Sequence, residues 1–211
     1  MNSVDEMIQG IIKENNLADW FIEYPWLKGY IGNPESEIWF VAENPSRKGL
    51  ENIAVPKNDR TPNLQWNSHA GDLLLREAIA EAGLKLGDPR DADGWKCYIT
   101  NAIKQPDYVS QRNKKKSSSF LHAESLRWMP VLQFQIDNGN AKVLVALGKE
   151  VERILKYMVK DGLKCPPLER IHHYSYIMFR PEARTKRGPG NKERIEEFKN
   201  SVITIANNYC S

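Results

Sequence analysis

The sequence predicts an α/β fold, a three-layer α/β/α sandwich around a central, roughly four-stranded parallel sheet. Short apolar runs rich in β-branched and aromatic residues, which are typical of buried strands, alternate with longer segments that carry apolar residues at helical spacing. This alternation favours right-handed crossovers and a parallel sheet covered by helices on both faces. The chain has no internal repeat and no sign of a second domain, so we expect a single domain over residues 1–211.

The amino-terminal half contains two predicted helices and one predicted strand. A first helix, Val4 to Asn15, has apolar residues at helical spacing. After a turn-rich stretch, Tyr24 to Glu35, the apolar run from Ile38 to Ala42 predicts a buried strand. An irregular connection from Glu43 to Asn67 follows, and ordered loops of that length are usually functional. A second helix extends from Leu73 to Leu84.

The carboxyl-terminal half alternates strands and helices three more times. The clearest strand is Lys142–Leu147, because its unbroken apolar run is typical of a strand buried on both faces. In the helix before it, Pro130 should lie near a kink or a boundary, because proline has no amide hydrogen to donate. The full set is three strands, at Lys96–Ile103, Lys142–Leu147 and Leu168–His172, and three helices, at Phe120–Ile136, Lys149–Val159 and Lys192–Asn208.

The composition is that of a globular protein without a membrane segment or a disulfide framework. Hydrophobic residues make up 41% and charged residues 27% of the chain. No apolar run approaches the roughly 18 residues of a membrane-spanning helix, and the amino terminus lacks the basic segment of a signal peptide. The scattered Cys97, Cys165 and Cys210 argue against disulfides and against a cysteine-bound metal. We therefore expect a cytoplasmic protein, nuclear in a eukaryotic host, with a monomer as the default.

Positive charge is concentrated in two segments of a chain whose net charge is only +3. Lys104–Lys116 contains five basic side chains and one acidic one, and Arg180–Arg194 contains six basic and two acidic ones. Both segments are rich in Ser, Gly, Pro or Asn, so we expect loops that can contact the phosphates of a nucleic acid. The alternative is that they are ordinary solvated loops.

Functional residue types follow each predicted parallel strand. Glu43 and Asn44 follow the first strand, Asn101 ends the second, Gly148 ends the third, and His172–His173 follow the fourth. Ligands bind where the carboxyl ends of parallel strands meet, so these residues should lie together. An amide can recognise a base edge because it has both a donor and an acceptor, and a histidine can donate to an oxygen that becomes negatively charged. Taken singly, Asn44 also fits a turn before proline, and either histidine fits a packing role.

The same segments, in the same order, resemble the motifs of the uracil-DNA glycosylase superfamily, over Ile38 to Arg180. The matching segments are 38–46 (IWFVAENPS), similar to a strand and a Gly-x-(Asp/Asn/Ala)-Pro turn; 66–71 (WNSHAG), similar to Phe-x-Gly-x-(Ala/Ser)-Gly; 98–104 (YITNAIK), similar to the "yitNvvk" strand; 143–148 (VLVALG), similar to the "vivaLG" strand; and 173–175 (HYS), where His-Pro-Ser is usual.

The resemblance implies a role for each matching residue. Asn44 would place the attacking water, and His173 would stabilise the charge on uracil O2 as the glycosidic bond breaks. Trp66 would stack on the extruded base, and Asn101 would read the edge of uracil. The expected base-binding residues are Glu43, Trp66, Asn101 and Gly148, and the expected DNA-binding residues are Lys114, Lys115, Lys116, Ser175, Arg180, Arg184, Lys186 and Arg187.

The resemblance thus implies a DNA glycosylase of base excision repair, which flips out uracil or a related deaminated base and removes it hydrolytically. Extrusion from the duplex costs on the order of a few kcal/mol, and stacking on an aromatic ring returns roughly 1–3 kcal/mol per base. The departing base needs stabilisation of its developing negative charge more than a strong nucleophile. This route requires no metal and no cofactor.

Departures from the family pattern leave other functions open. Ala42 replaces the usual first glycine, Ser46 replaces the last residue of the first motif, and Tyr174 replaces proline. Tyr174 could shift the ring of His173, and His172 would then act instead. One alternative is a superfamily member that binds single-stranded or damaged DNA without cleaving it. A less favoured alternative is a nucleoside hydrolase, because a free nucleoside has no phosphates for the basic loops to contact.

Overall fold

The computed structural model describes residues 4–17, 30–45, 70–89, 93–105, 118–174, 177 and 189–210, and the structural statements below concern these residues. The helices are α1 (Val4–Glu14), α2 (Ala70–Glu81), α3 (Ser118–Asp137), α4 (Lys149–Lys160) and α5 (Pro189–Tyr209). The strands are β1 (Tyr30–Gly32), β2 (Ile38–Ala42), β3 (Tyr98–Asn101), β4 (Val143–Leu147) and β5 (Leu168–Ile171).

The five strands form one sheet in the order β1-β3-β2-β4-β5. Strands β3, β2, β4 and β5 run parallel, as predicted, while β1 pairs antiparallel with β3. Strand β1 lies within the stretch Tyr24–Glu35, which the sequence predicts to be turn-rich, because three residues are too few to establish a strand periodicity. Gly32 is required there, since a Cβ atom at this position would lie 2.2 Å from the carbonyl oxygen of Cys97. The predicted α/β sandwich is confirmed, with an added edge strand.

Two hydrophobic cores cover the two faces of the sheet. Alternate residues of a strand point to opposite faces. Trp39 and Tyr98 accordingly pack on the face covered by α1, α3 and α4. Phe40 and Ile99 pack on the face covered by α2 and α5. These two helical layers are called the α3 face and the α2 face below.

Helix α3 continues through Pro130, where the sequence predicted a kink or a boundary. No helix boundary lies there, so that part of the prediction is wrong. Proline leaves the carbonyl group of Leu126 without its helical donor. Because Pro130 and Leu126 are both exposed, water can bind on this side of the helix. None of the described helices is both long and apolar enough to cross a lipid bilayer.

Candidate active site at the ends of the parallel strands

The strand order places the expected ligand crevice at the carboxyl ends of β2 and β4. The chain passes from β2 to β3 on one side and then crosses to β4 on the other, so the direction of winding reverses between β2 and β4. Ligands of parallel sheets bind outside the strand ends at such a point. Val41 pairs with Ala146, and Glu43 and Gly148 each lie two residues beyond this pair. The residues predicted from the strand ends therefore lie at the same end of the sheet.

The ends of β2 and β3 stay paired beyond the strands themselves. Ala42 and Asn101 are partners in register. Beyond them, the amide of Ala102 donates to the carbonyl oxygen of Ala42 at 2.8 Å, and the amide of Ile103 donates to that of Glu43 at 3.0 Å. These bonds hold Asn101 beside the turn that follows β2. By strand alternation, the side chain of Asn101 is on the α2 face.

Asn44 connects the two loops of this strand pair. Its Nδ2 donates to the carbonyl oxygen of Pro45 at 3.0 Å and to that of Gln105 at 3.4 Å. Asn44 is half-buried, and the first of these bonds is local to the turn. The residue thus fills the turn role considered from the sequence, and it also lies at the site edge beside the loop that follows β3.

Gly148 and His173 lie against each other on the β4 side of the crevice. Gly148 has φ +100°, a region that other residues rarely adopt, and its amide donates to the carbonyl oxygen of Ile171 at 3.0 Å. A Cβ atom at position 148 would lie 3.0 Å from the Cβ of His173. The absence of a side chain at Gly148 is what lets the histidine segment approach the end of β4.

The two adjacent histidines differ in environment. His172 is exposed, whereas His173 is partly buried beside Gly148. Desolvation lowers the pKa of His173 from 6.5 to about 4, because burial disfavours the charged imidazolium. At neutral pH His173 is therefore an uncharged imidazole, which retains one N–H donor.

Tyr174 packs against His173 and interacts with Asp72, contacts that the sequence did not predict. The rings of Tyr174 and His173 stack with centroids 4.4 Å apart and an interplanar angle of 26°. Burial raises the pKa of Tyr174, as do the charge of Asp72 and the hydrogen bond between the two side chains. Asp72 lies in the first turn of α2. An acid is favoured at any helix amino terminus, so the sequence around Asp72 carried no functional signal.

Lys104, counted from the sequence in the first basic segment, is fully buried on the α3 face. Its Nζ donates to Thr100 Oγ1 at 2.5 Å, to the carbonyl oxygen of Asn101 at 2.8 Å and to Gln135 Oε1 at 3.0 Å. Burial lowers the pKa of Lys104 to about 7. Its amine supports the backbone of Asn101 from behind and is not available for DNA phosphates.

The remaining predicted site residues lie outside the described part of the chain: Trp66, Lys114, Lys115, Lys116, Ser175, Arg180, Arg184, Lys186 and Arg187. Their proposed contacts with a base or with DNA stay predictions. Among the described residues, no group of three or more His, Cys, Asp or Glu side chains is arranged to hold a metal ion.

Comparison with known proteins identifies the family of the chain. The sequence profile of the Uracil DNA glycosylase superfamily matches residues 30–200, which include all five strands. No curated protein matches the sequence with significant similarity.

Proposed function

The chain belongs to the uracil DNA glycosylase superfamily, and on this premise we propose that it removes uracil, or a related deaminated base, from DNA. Membership indicates a glycosylase-type hydrolase that acts on DNA. The observation that carries the finer proposal is the meeting, at one edge of the sheet, of the strand ends bearing Asn44, Asn101 and His173. These are the residue types needed to place a water, read a base and stabilise its departure.

The base is proposed to enter the crevice from an extruded nucleotide. A base within a duplex is inaccessible, and its extrusion costs on the order of a few kcal/mol. Trp66 would supply a stacking surface, which contributes roughly 1–3 kcal/mol per base. The amide of Asn101 would then pair with the donor and acceptor edge of uracil. The hydrogen bond from Lys104 to the carbonyl oxygen of Asn101 supports this role by fixing the backbone of the reader residue.

His173 is proposed to stabilise the leaving group. When the bond between C1′ and N1 breaks, its electron pair leaves with uracil and negative charge develops on O2. The neutral imidazole would donate a hydrogen bond to that oxygen, in a site where burial strengthens the interaction. A water oriented by Asn44 would form the new bond to C1′ and release its proton to solvent. No step in this scheme uses a metal or a cofactor.

The proposed partner is DNA, bound by a monomer in the cytoplasm, or in the nucleus of a eukaryote. The phosphates would be contacted by the basic side chains of 112–116 and 180–194. Lys104, the first residue of the first basic segment, is buried and is therefore left out of this set. Base excision repair would be the corresponding process.

A second candidate is a superfamily member that binds DNA without cleaving it. The observation that favours it is the engagement of Asn44 Nδ2 with the backbone of Pro45 and Gln105, which gives Asn44 a structural role independent of catalysis. Such a protein would keep its affinity for damaged DNA when Asn44 is replaced.

Cleavage of end-labelled oligonucleotides containing one uracil distinguishes the two candidates. Single-stranded, U:A and U:G substrates would be incubated with the protein and then treated with alkali. Asn44→Ala, Asn101→Ala and His173→Ala should each lower the rate at least about a hundredfold, the scale of losing one positioned charge-stabilising group. His172→Ala, at the exposed neighbour, should retain the rate. Binding without cleavage by the unaltered protein would refute the glycosylase proposal and leave the DNA-binding one.

A further inference from the structure

We propose that Tyr174 and Asp72 form a positioning pair that fixes the orientation of the His173 imidazole. This inference rests on the proposed function, since it assigns His173 the task of stabilising the leaving base. Neither Tyr174 nor Asp72 would contact the base. Both would act through His173, by a ring contact and by a hydrogen bond to helix α2.

The ring contact restricts the plane of the imidazole. The Tyr174 and His173 rings stack at 4.4 Å and 26°, so a large rotation of the imidazole about its χ2 angle would break the contact. Gly148 adjoins the same residue from another direction, because a Cβ atom at position 148 would lie 3.0 Å from the Cβ of His173. The position of His173 is thus set by Gly148, and its ring plane is set by Tyr174.

The hydrogen bond restricts Tyr174 in turn. Burial raises the pKa of Tyr174, and so do the charge of Asp72 and hydrogen bonding to it; the phenol therefore stays protonated and able to donate to this carboxylate. A hydrogen bond to an ionised acceptor is stronger than one between neutral groups. Asp72 lies in the first turn of α2, where the helix dipole favours a negative charge. The imidazole is thereby connected to a rigid helix.

This arrangement involves a residue at which the chain departs from the family pattern, Tyr174. Where the superfamily usually has proline, whose ring fixes its own φ angle, this chain has Tyr174, whose φ angle is not fixed by a ring. In this chain the restraint would come from the side chain, through its interaction with Asp72. Helix α2, which carries Asp72, comes directly after the segment containing Trp66 in the sequence. The pair therefore connects His173 to the helix that follows the proposed stacking residue.

The test uses Tyr174→Phe, which keeps the ring and removes the hydroxyl, and Asp72→Ala, which removes the acceptor. Asp72→Asn is the conservative variant, because its amide oxygen can still accept the hydrogen bond. Tyr209→Phe is the matched control: it removes another tyrosine hydroxyl that donates to a carboxylate, that of Glu169 at 3.1 Å, on the exposed surface. All variants would be checked for folding by thermal melting.

Two readouts separate positioning from a merely structural role. The first is the NMR signal of the His173 ring nitrogens, assigned with His173→Asn and followed through a pH titration. Tyr174→Phe and Asp72→Ala should move these signals, while Asp72→Asn and Tyr209→Phe should leave them close to the unaltered protein. The second is the single-turnover cleavage rate, which should fall about tenfold in the two disruptive variants with DNA affinity unchanged. The double variant should be no slower than either single one, because one pair is lost only once.

Unchanged His173 ring signals in folded Tyr174→Phe and Asp72→Ala would overturn the proposal, whatever the activity. If Tyr174→Phe does not fold, Asp72→Ala alone decides by the same signals. If the unaltered protein cleaves no substrate, the proposed glycosylase function fails, while the NMR titration still decides whether Tyr174 and Asp72 position His173.

Discussion

Gly148 lies so close to His173 that a Cβ atom at position 148 would be 3.0 Å from the histidine Cβ. Gly148 lies between strand β4 and helix α4, where it caps the helix, while His173 follows the edge strand β5. The amide of Gly148 also donates to the carbonyl oxygen of Ile171 at 3.0 Å, so the two strand ends are bonded to each other beside this contact. The contact therefore links the position of the proposed leaving-group stabiliser to the conformation of one glycine.

Gly148→Ala should lower the cleavage rate strongly and the free energy of unfolding moderately. The substitution adds backbone strain at φ +100°, about 1–3 kcal/mol, and pushes His173 out of place. A displacement on the order of 1 Å can reduce an enzymatic rate about a hundredfold. The measurements are urea denaturation and single-turnover cleavage.

Gly162→Ala provides the matched control for this substitution. Gly162 has φ +110°, but a Cβ atom there would meet nothing within 4 Å. It should cost similar stability and leave cleavage intact. Equal loss of cleavage in the two variants would mean that strain alone, and not the contact with His173, reduces activity.

The stability of the protein should depend on His173 between pH 4 and pH 6.5. The folded state holds His173 neutral down to about pH 4, whereas the unfolded chain takes up the proton near pH 6.5. In this window the unfolded state binds more protons, so the free energy of unfolding falls as the pH falls. The loss at pH 4 should amount to as much as about 3 kcal/mol.

The measurement is urea denaturation of the unaltered protein and of His173→Asn across this pH range. The difference between the two curves should change with pH, because all other groups are common to both. Parallel curves would show that His173 is not desolvated in the folded state.

The sequence predicted the parallel core of the fold because its signals are local. The run Val143–Leu147 is apolar without interruption, and it forms a fully buried strand. The edge strand Tyr30–Gly32 escaped prediction because its pairing with β3 depends on residues almost seventy positions away, and three residues carry no periodicity of their own. Helix α3 continues past Pro130 because the lost hydrogen bond lies on an exposed side, which single-residue propensity does not encode.

The sequence predicts the location of a candidate site residue when that location follows from the end of a strand. It does not predict a role that depends on a contact with a residue distant in the sequence. Asn101 and Gly148 could be placed at one end of the sheet because the carboxyl ends of parallel strands lie on the same side. Lys104 was counted with a basic segment, since its burial depends on acceptors from β3 and from α3. The tie between Tyr174 and Asp72 joins residues about a hundred positions apart, and a sequence alone gives no sign of it.

Lys104→Met should change how stability depends on pH on the alkaline side of neutrality, whereas His173 acts on the acidic side. Burial lowers the pKa of Lys104 to about 7 in the folded state, while the unfolded chain holds its proton up to about pH 10.5. Between these values the unfolded state binds more protons, so Lys104 makes stability rise with pH, by at most about 1.4 kcal/mol per pH unit.

Urea denaturation between pH 7 and pH 9 tests this for the unaltered protein and Lys104→Met. The stability of the unaltered protein relative to the variant should increase over the range, because ionisation of other groups cancels in the difference. A difference that stays constant would indicate that the three acceptors around Nζ keep the amine protonated throughout.

The basic segments should make binding to DNA steeply dependent on salt, which a nucleoside hydrolase would not show. Each phosphate contact contributes a slope of about −0.9 for duplex or about −0.7 for single-stranded DNA in a plot of log K against log salt concentration. Replacing Lys114, Lys115 and Lys116 with Gln should therefore reduce the magnitude of the slope by about 2–3. The measurement is fluorescence anisotropy of a labelled uracil oligonucleotide at several salt concentrations.

The matched control removes the same charge elsewhere. Lys156, Lys160 and Lys164 are exposed. They lie on the second half of α4 and the loop after it, toward the amino ends of the parallel strands. Replacing these three with Gln should leave the slope unchanged, because they lie at the far end of α4 from the strand ends where the DNA is proposed to bind. If both triple variants reduce the slope equally, net charge and not a defined contact surface governs binding. If neither does, the Lys114–Lys116 run does not touch the phosphates, and the proposed DNA contacts would have to come from 180–194 alone.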